Sequence, residues 1–179
     1  THQLTNKKIK LTMKKFLTTL IYGSLACIVL IYLFSAMRWP GFGDIATGVL
    51  WLHIGAYMLY SLMIKDREPR IIYPLVALTA VVLVNIFKLG AAAPWMSIAV
   101  YFFLVAYTAF HLMATDYLDK NEISFLNKLN TTAVAVYLLG GVMKLASLQF
   151  SNEVFIVGSG MLAFVLLLTG ATKGLERQK

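Results

Sequence analysis

Three basic side chains, Arg38, Lys88 and Lys144, stand beside the ends of long apolar runs, and two histidines, His53 and His111, stand inside such runs. A cation at the edge of a hydrocarbon layer reaches the headgroups through its aliphatic stem. Where several converge they can hold an anion, such as a lipid phosphate or a partner's carboxylate. Asp44 and Glu153 would partly neutralise that set. A buried imidazole can ligate haem or move protons. Counted from their helix starts, however, His53 and His111 differ by about eight residues, ~12 Å of depth. That is unfavourable for two axial ligands of one haem. The expectation is hydrogen bonding, of His53 with Tyr57 one turn on, and of His111 with Tyr107 or Thr115. Asn85 reads as an interhelical hydrogen-bonding group. No zinc-ligand cluster, phosphate-binding glycine loop or Ser/His/Asp grouping is present, and Lys120 among Asp116, Asp119 and Glu122 marks a solvated loop. No catalytic residue and no metal site are assigned, and no cofactor is predicted. Haem on His53 or His111 is the alternative to test.

The elements that carry these residues follow from composition. Hydrophobic residues make up 59% and charged residues 13% of the chain, with mean hydropathy +0.75. Soluble domains carry about 25% charged residues. The apolar residues fall in blocks of roughly 20, the length of helix that crosses a ~30 Å hydrocarbon layer. The expected class is an all-α integral membrane protein. A net charge of +8 would suggest nucleic acid in a soluble protein, but here the basic residues lie between apolar runs. Membrane topology accounts for that pattern, and no nucleic-acid partner is expected. The lone Cys27 has no intramolecular disulfide partner.

The reading places a basic segment at 1–14, a membrane domain at 15–172 and a charged tail at 173–179. Six transmembrane helices are predicted at about 15–37, 44–64, 71–89, 94–115, 132–149 and 153–172, as three consecutive hairpins. The first hairpin turns at Trp39-Pro40-Gly41, where proline fixes φ and glycine admits positive φ. Asp44 is placed to cap the second helix and suits its dipole. The connection 116–131 carries Ile123, Leu126 and Leu129 at every third place, which suits either a short interfacial helix or a frayed helix start. Thr19, Gly23 and Cys27, together with Gly140, Gly141, Gly158, Gly160 and Gly170, read as positions of close helix approach. Trp39, Trp95, Tyr60, Tyr73 and Tyr117 suit interfacial belts. Met13-Lys14-Lys15 resembles a bacterial start, so residues 1–12 read as an upstream extension.

Of the 16 Lys and Arg residues, only Arg38, Lys88 and Lys144 fall on the far side of the runs from the N-terminus. The positive-inside rule then puts both termini in the cytoplasm of a multi-pass protein. Aligned on their basic residues, the three corners show Ser35, Asn85 and Gly141 three places earlier and Met37, Phe87 and Met143 one place earlier. This suggests a parallel internal repeat, and true duplication and convergent apolar patterning both account for it.

The first corner, Leu33 to Gly41 followed by Gly48, resembles the F-K-x-M-H-W-P-G corner of small membrane hairpins of Bacteroidetes-type bacteria. These include the hairpin of the GldL family, an inner-membrane motor subunit of gliding and type IX secretion. Its firm part is Trp39-Pro40-Gly41, with Arg38 in place of the usual His. The resemblance implies a bacterial inner-membrane location. The proton-carrying glutamate of that motor family would fall near Leu52 or His53, where no carboxylate stands.

The functional expectation is a non-enzymatic accessory or scaffold subunit of a larger membrane or envelope complex. Its partners would be membrane lipids and other membrane or envelope proteins, and Trp39, Pro40, Gly41 and Asp44 would form a rigid corner. A small transporter or channel with a path between the hairpins is the first alternative. A membrane-embedded redox or lipid-modifying protein using His53 or His111 is the second.

Overall fold

The computed structural model describes residues 2–39, 43–63, 95–113 and 123–175. Five helices follow one another there: α1 (His2–Ala36), α2 (Gly43–Met63), α3 (Trp95–Met113), α4 (Ile123–Leu145) and α5 (Ser151–Leu175). No proline interrupts any of them, so the backbone bonding of each runs unbroken between its ends.

The helices form an antiparallel bundle. Thr19, midway along α1, donates its Oγ1 hydrogen to the Gly170 carbonyl toward the end of α5 at 3.3 Å. Tyr32, near the other end of α1, stands 6.4 Å from Phe155 near the start of α5. The second half of α1 therefore runs antiparallel to α5, and the corners after α1 and α4 share one end of the bundle. Between α4 and α5 the approach is close because glycines face backbone. A Cβ on Gly140 would lie 2.7 Å from the Phe155 Cα, and one on Gly158 would lie 2.7 Å from the Tyr137 Cα. Gly141 makes room for the Tyr101 ring from α3, and Gly170 accepts Tyr22 from α1. Leu25, Val29, Leu112, Tyr137, Phe155, Leu162 and Leu166 are fully buried at the centre.

The all-helical class is what the structure shows, but the expected count of six membrane helices is not. Among the described residues, three helices are long and apolar enough to cross a membrane, through Thr12–Ala36, Ile45–Leu62 and Ser151–Thr172. That number is compatible with a membrane protein and replaces the three complete hairpins of the sequence reading. Two expected spans fail for identifiable reasons. The apolar part of α3, Ile98–Leu112, is too short to qualify. In α4 the apolar stretch lies between Thr132 and Lys144, with Asn127, Lys128, Asn130 and Thr131 before it. Eleven or so residues rise only ~16 Å, against a ~30 Å hydrocarbon layer. The helix predicted at 71–89, with Lys88 and Asn85, lies outside the described residues, as do Pro40, Gly41 and the 65–70 and 116–122 loops.

Other boundaries differ from expectation. α1 begins at His2, well before the basic run ends. α4 begins at Ile123, so the second half of the long connection is continuous with the helix. Asp44 stands in the first turn of α2. On α1, only Thr19 of the expected small-residue stripe makes a close contact. Gly23 faces open space and Cys27 is exposed. The packed face of α1 is instead Leu17, Ile21, Leu25, Val29 and Leu33, spaced at helical period.

Candidate functional site

Two places on the bundle gather polar side chains, one in the interior and one at the corner end. In the interior, His53 of α2 is fully buried and touches helices on both sides. Its Nδ1 lies 2.6 Å from the Ser24 Oγ of α1, and its Nε2 lies 2.9 Å from the Tyr107 hydroxyl of α3. The Ser24 hydroxyl donates to the Ile21 carbonyl at 3.0 Å. With that single proton committed, Ser24 Oγ accepts from His53 Nδ1–H, and His53 Nε2 accepts from the Tyr107 hydroxyl. The tautomer is assigned from this pattern of partners. The result is a one-way chain, Tyr107 to His53 to Ser24 to the Ile21 carbonyl, tying three helices together.

His111 stands beside this chain. Its Nδ1–H donates to the Tyr107 carbonyl one turn earlier at 2.9 Å, and its own carbonyl accepts from the Tyr22 hydroxyl at 2.9 Å. Tyr57 links the two imidazoles by ring contacts, 5.2 Å from His53 and 5.6 Å from His111. Tyr107 lies 4.4 Å from His111, centroid to centroid. The expected partners Tyr57 and Tyr107 are thus present, but their roles differ, and Thr115 lies outside the described residues. Tyr57 meets His53 edge to face, and the Tyr107 hydroxyl serves His53 across helices while only its carbonyl serves His111.

This arrangement bears on ligand chemistry. Both ring nitrogens of His53 are occupied by hydrogen bonds within the protein, so iron would have to displace one of them. Among the described residues no group of three or more His, Cys, Asp or Glu side chains could hold a metal ion. The chain also ends on a backbone carbonyl, which has no proton to pass on. The geometry is that of a lock between helices.

The second place is the corner end. α1 closes with a left-handed residue: Arg38 has φ 56°. The Arg38 N–H donates to the Ser35 carbonyl at 3.0 Å, and the Trp39 N–H donates to the Phe34 carbonyl at 3.0 Å. These two bonds define a Schellman end, and the accompanying apolar contact is Trp39 stacked on Phe34 at 5.0 Å. α4 closes the same way. Ser147, with φ 53°, donates to the Lys144 carbonyl, and Leu148 donates to the Met143 carbonyl. Arg38 and Ser147 therefore hold equivalent places, so the sequence alignment of Arg38 with Lys144 is off by three residues. Glycine is the usual occupant of this position, and a left-handed L-residue costs about 1–2 kcal/mol.

Lys144 lies in the last turn of α4, one residue before its end. Its ammonium donates to Asn152 Oδ1 at 2.7 Å and to Met37 Sδ at 3.6 Å, and it lies 5.9 Å from the centre of the Phe155 ring. Asn152 is in the first turn of α5, and Met37 is the residue before Arg38. The structure thus brings Lys144 to the α1 corner that carries Arg38.

Sequence reasoning passed over Ser24 and Tyr22 on α1 and did not pair Asn152 with Lys144. A signal for Ser24 existed. Ser24, His53 and Tyr107 each lie about 10–12 residues from the corner end of their helices, ~15–18 Å in depth. Equal depth on neighbouring antiparallel helices is the condition for contact. No family model matches the chain, and no match is found among the curated proteins or the solved structures.

Proposed function

We propose that the chain is an integral, multi-pass membrane protein that acts without catalysis, as a scaffold or accessory subunit for other membrane or envelope proteins. Its place would be the bacterial inner membrane, with both chain ends in the cytoplasm. The excess of Lys and Arg at that end supports this sidedness, and so does the likeness of the first corner to inner-membrane hairpins. The observation that carries the reading is the Tyr107–His53–Ser24 chain, which spends the interior imidazole on joining α1, α2 and α3 and ends on a carbonyl. A proton path or a redox ligand needs a group with an open valence or an onward partner. This chain offers rigidity, which suits a part that holds others in place. The outward faces carry apolar side chains, among them Ile45, Leu52, Met58, Leu59 and Leu62 on α2 and Phe164 and Leu167 on α5. Such faces suit lipid or the helices of a partner.

The test is purification at native expression level in a gentle detergent, followed by mass spectrometry of co-migrating proteins and a visible absorption spectrum. A stoichiometric membrane or envelope partner is the expected result. A lone homogeneous protein that carries only lipid would overturn the subunit reading, and a haem band would overturn its non-redox part.

A further inference from the structure

We propose that Arg38, Lys144 and the first turn of α5 form a binding site for the phosphate of an anionic phospholipid headgroup. The site rests on the membrane reading, which puts the corner end at the level of the headgroups, but not on the scaffold role.

Three observations converge on it. First, the partners of the Lys144 ammonium among the described residues are all neutral: an amide oxygen, a thioether and an aromatic face. An ammonium has three donors, and here only the bond to Asn152 is a strong one. A phosphate oxygen supplies the negative charge that this set lacks. Second, the Met37 contact brings the α1 corner against Lys144, and the very next residue is Arg38, exposed and in a left-handed conformation. Third, α5 starts beside Lys144, and although the Ser151 and Val154 N–H groups bond the Leu148 and Phe150 carbonyls, those of Asn152 and Glu153 lie in its first turn. The first N–H groups of a helix have no partners within it and favour an anion. With Asn152 Oδ1 accepting from Lys144, its Nδ2 remains a donor. Trp39, exposed and stacked on Phe34, adds an indole at the level where headgroups lie. Glu153 in the same turn complements the dipole of its own helix.

The experiment compares the parent protein with Arg38→Gly, Lys144→Gln and the double variant in nanodiscs of phosphatidylcholine, with and without phosphatidylglycerol. Native mass spectrometry reads retained lipid, and thermal melting reads stabilisation. Arg38→Gly relieves the left-handed strain and so folds. Alkaline carbonate extraction of membranes checks the membrane reading separately. The expected result is preferential retention of phosphatidylglycerol by the parent, reduced about fivefold for each charge removed, while Arg38→Gly melts no lower than the parent in phosphatidylcholine alone. Equal retention by parent and double variant would overturn the site. Inorganic phosphate in solution raising the melting temperature of the parent as much as phosphatidylglycerol does would overturn its assignment to lipid.

Discussion

At the residue scale, His53 is the most constrained side chain, because two hydroxyls on two other helices meet its two nitrogens. Tyr107→Phe removes the donor to Nε2 and leaves a buried acceptor unmet. Hydrogen bonds between membrane helices are worth about 0.6–2 kcal/mol, so this variant should melt lower in detergent by that amount, as should Ser24→Ala. Ser24 and Tyr107 are joined only through the imidazole. Their double variant should therefore depart from additivity by at least about 0.5 kcal/mol, the mark of one shared network. Strict additivity in a double-mutant cycle would mean that the two hydroxyls act independently. Arg38 and Ser147 are the counterpart at the corner end, since both hold left-handed backbone that glycine adopts at less cost. Ser147→Gly should raise the melting temperature modestly, because Ser147 shares the geometry of Arg38 without its charge.

At the element scale, the α4–α5 contact depends on missing side chains. Gly140 and Gly158 sit across from the backbones of Phe155 and Tyr137, whereas Gly160, two residues after Gly158, faces open space. Gly158→Ala must push two helix backbones apart, while Gly160→Ala gains helix propensity worth up to ~1 kcal/mol. The first should destabilise by about 2–4 kcal/mol, in the range of overpacking and lost core contact. The second should be neutral or stabilising. Matched thermal melts of the two variants read the sign directly, and equal melts would contradict the close approach. The same logic explains why the stripe of Thr19, Gly23 and Cys27 was misleading. Small residues at helical spacing permit close approach only on the face that has a neighbour, and on α1 that face is the one through Leu25 and Val29.

At the scale of the whole molecule, the second half of α1 packs antiparallel against α5, so the end of α1 and the start of α5 lie together. On the proposed topology, reporter fusions before Thr1 and after Lys179 should both show cytoplasmic activity, and opposite signals would refute it. Cys27 provides an independent reading. It is exposed on α1 within the apolar stretch Thr12–Ala36. A membrane-impermeant maleimide should leave it unlabelled in intact and in opened vesicles and label it after denaturation in detergent. Prompt labelling in vesicles would place that face in water. The outward apolar residues of α2 and α5 are the surfaces on which a co-purifying partner should be cross-linked.

Much of the outline was legible in the chain. Blocks of apolar residues with charges between them determine helices, their approximate ends and their apolar nature, because every backbone group in such a block must be satisfied locally. Trp39 and its neighbours announce a corner through residue type alone. Other features were not legible because they depend on more than one segment. The true length of the apolar part of α4 is limited by Asn130, Thr131 and Lys144, which hydropathy blocks smooth over. Lys144 reads as an anchor by itself, and only the folded corner sets it against Asn152 and Met37. The partners of His53 come from α1 and α3, and which face of each helix turns inward is decided by packing against all its neighbours at once. The sequence by itself determined the helical class and the apolar character, but not the number of membrane-length helices or where α1 and α4 begin. The tertiary structure decided which polar groups meet, because contact requires equal depth and facing sides on helices that are distant in the chain.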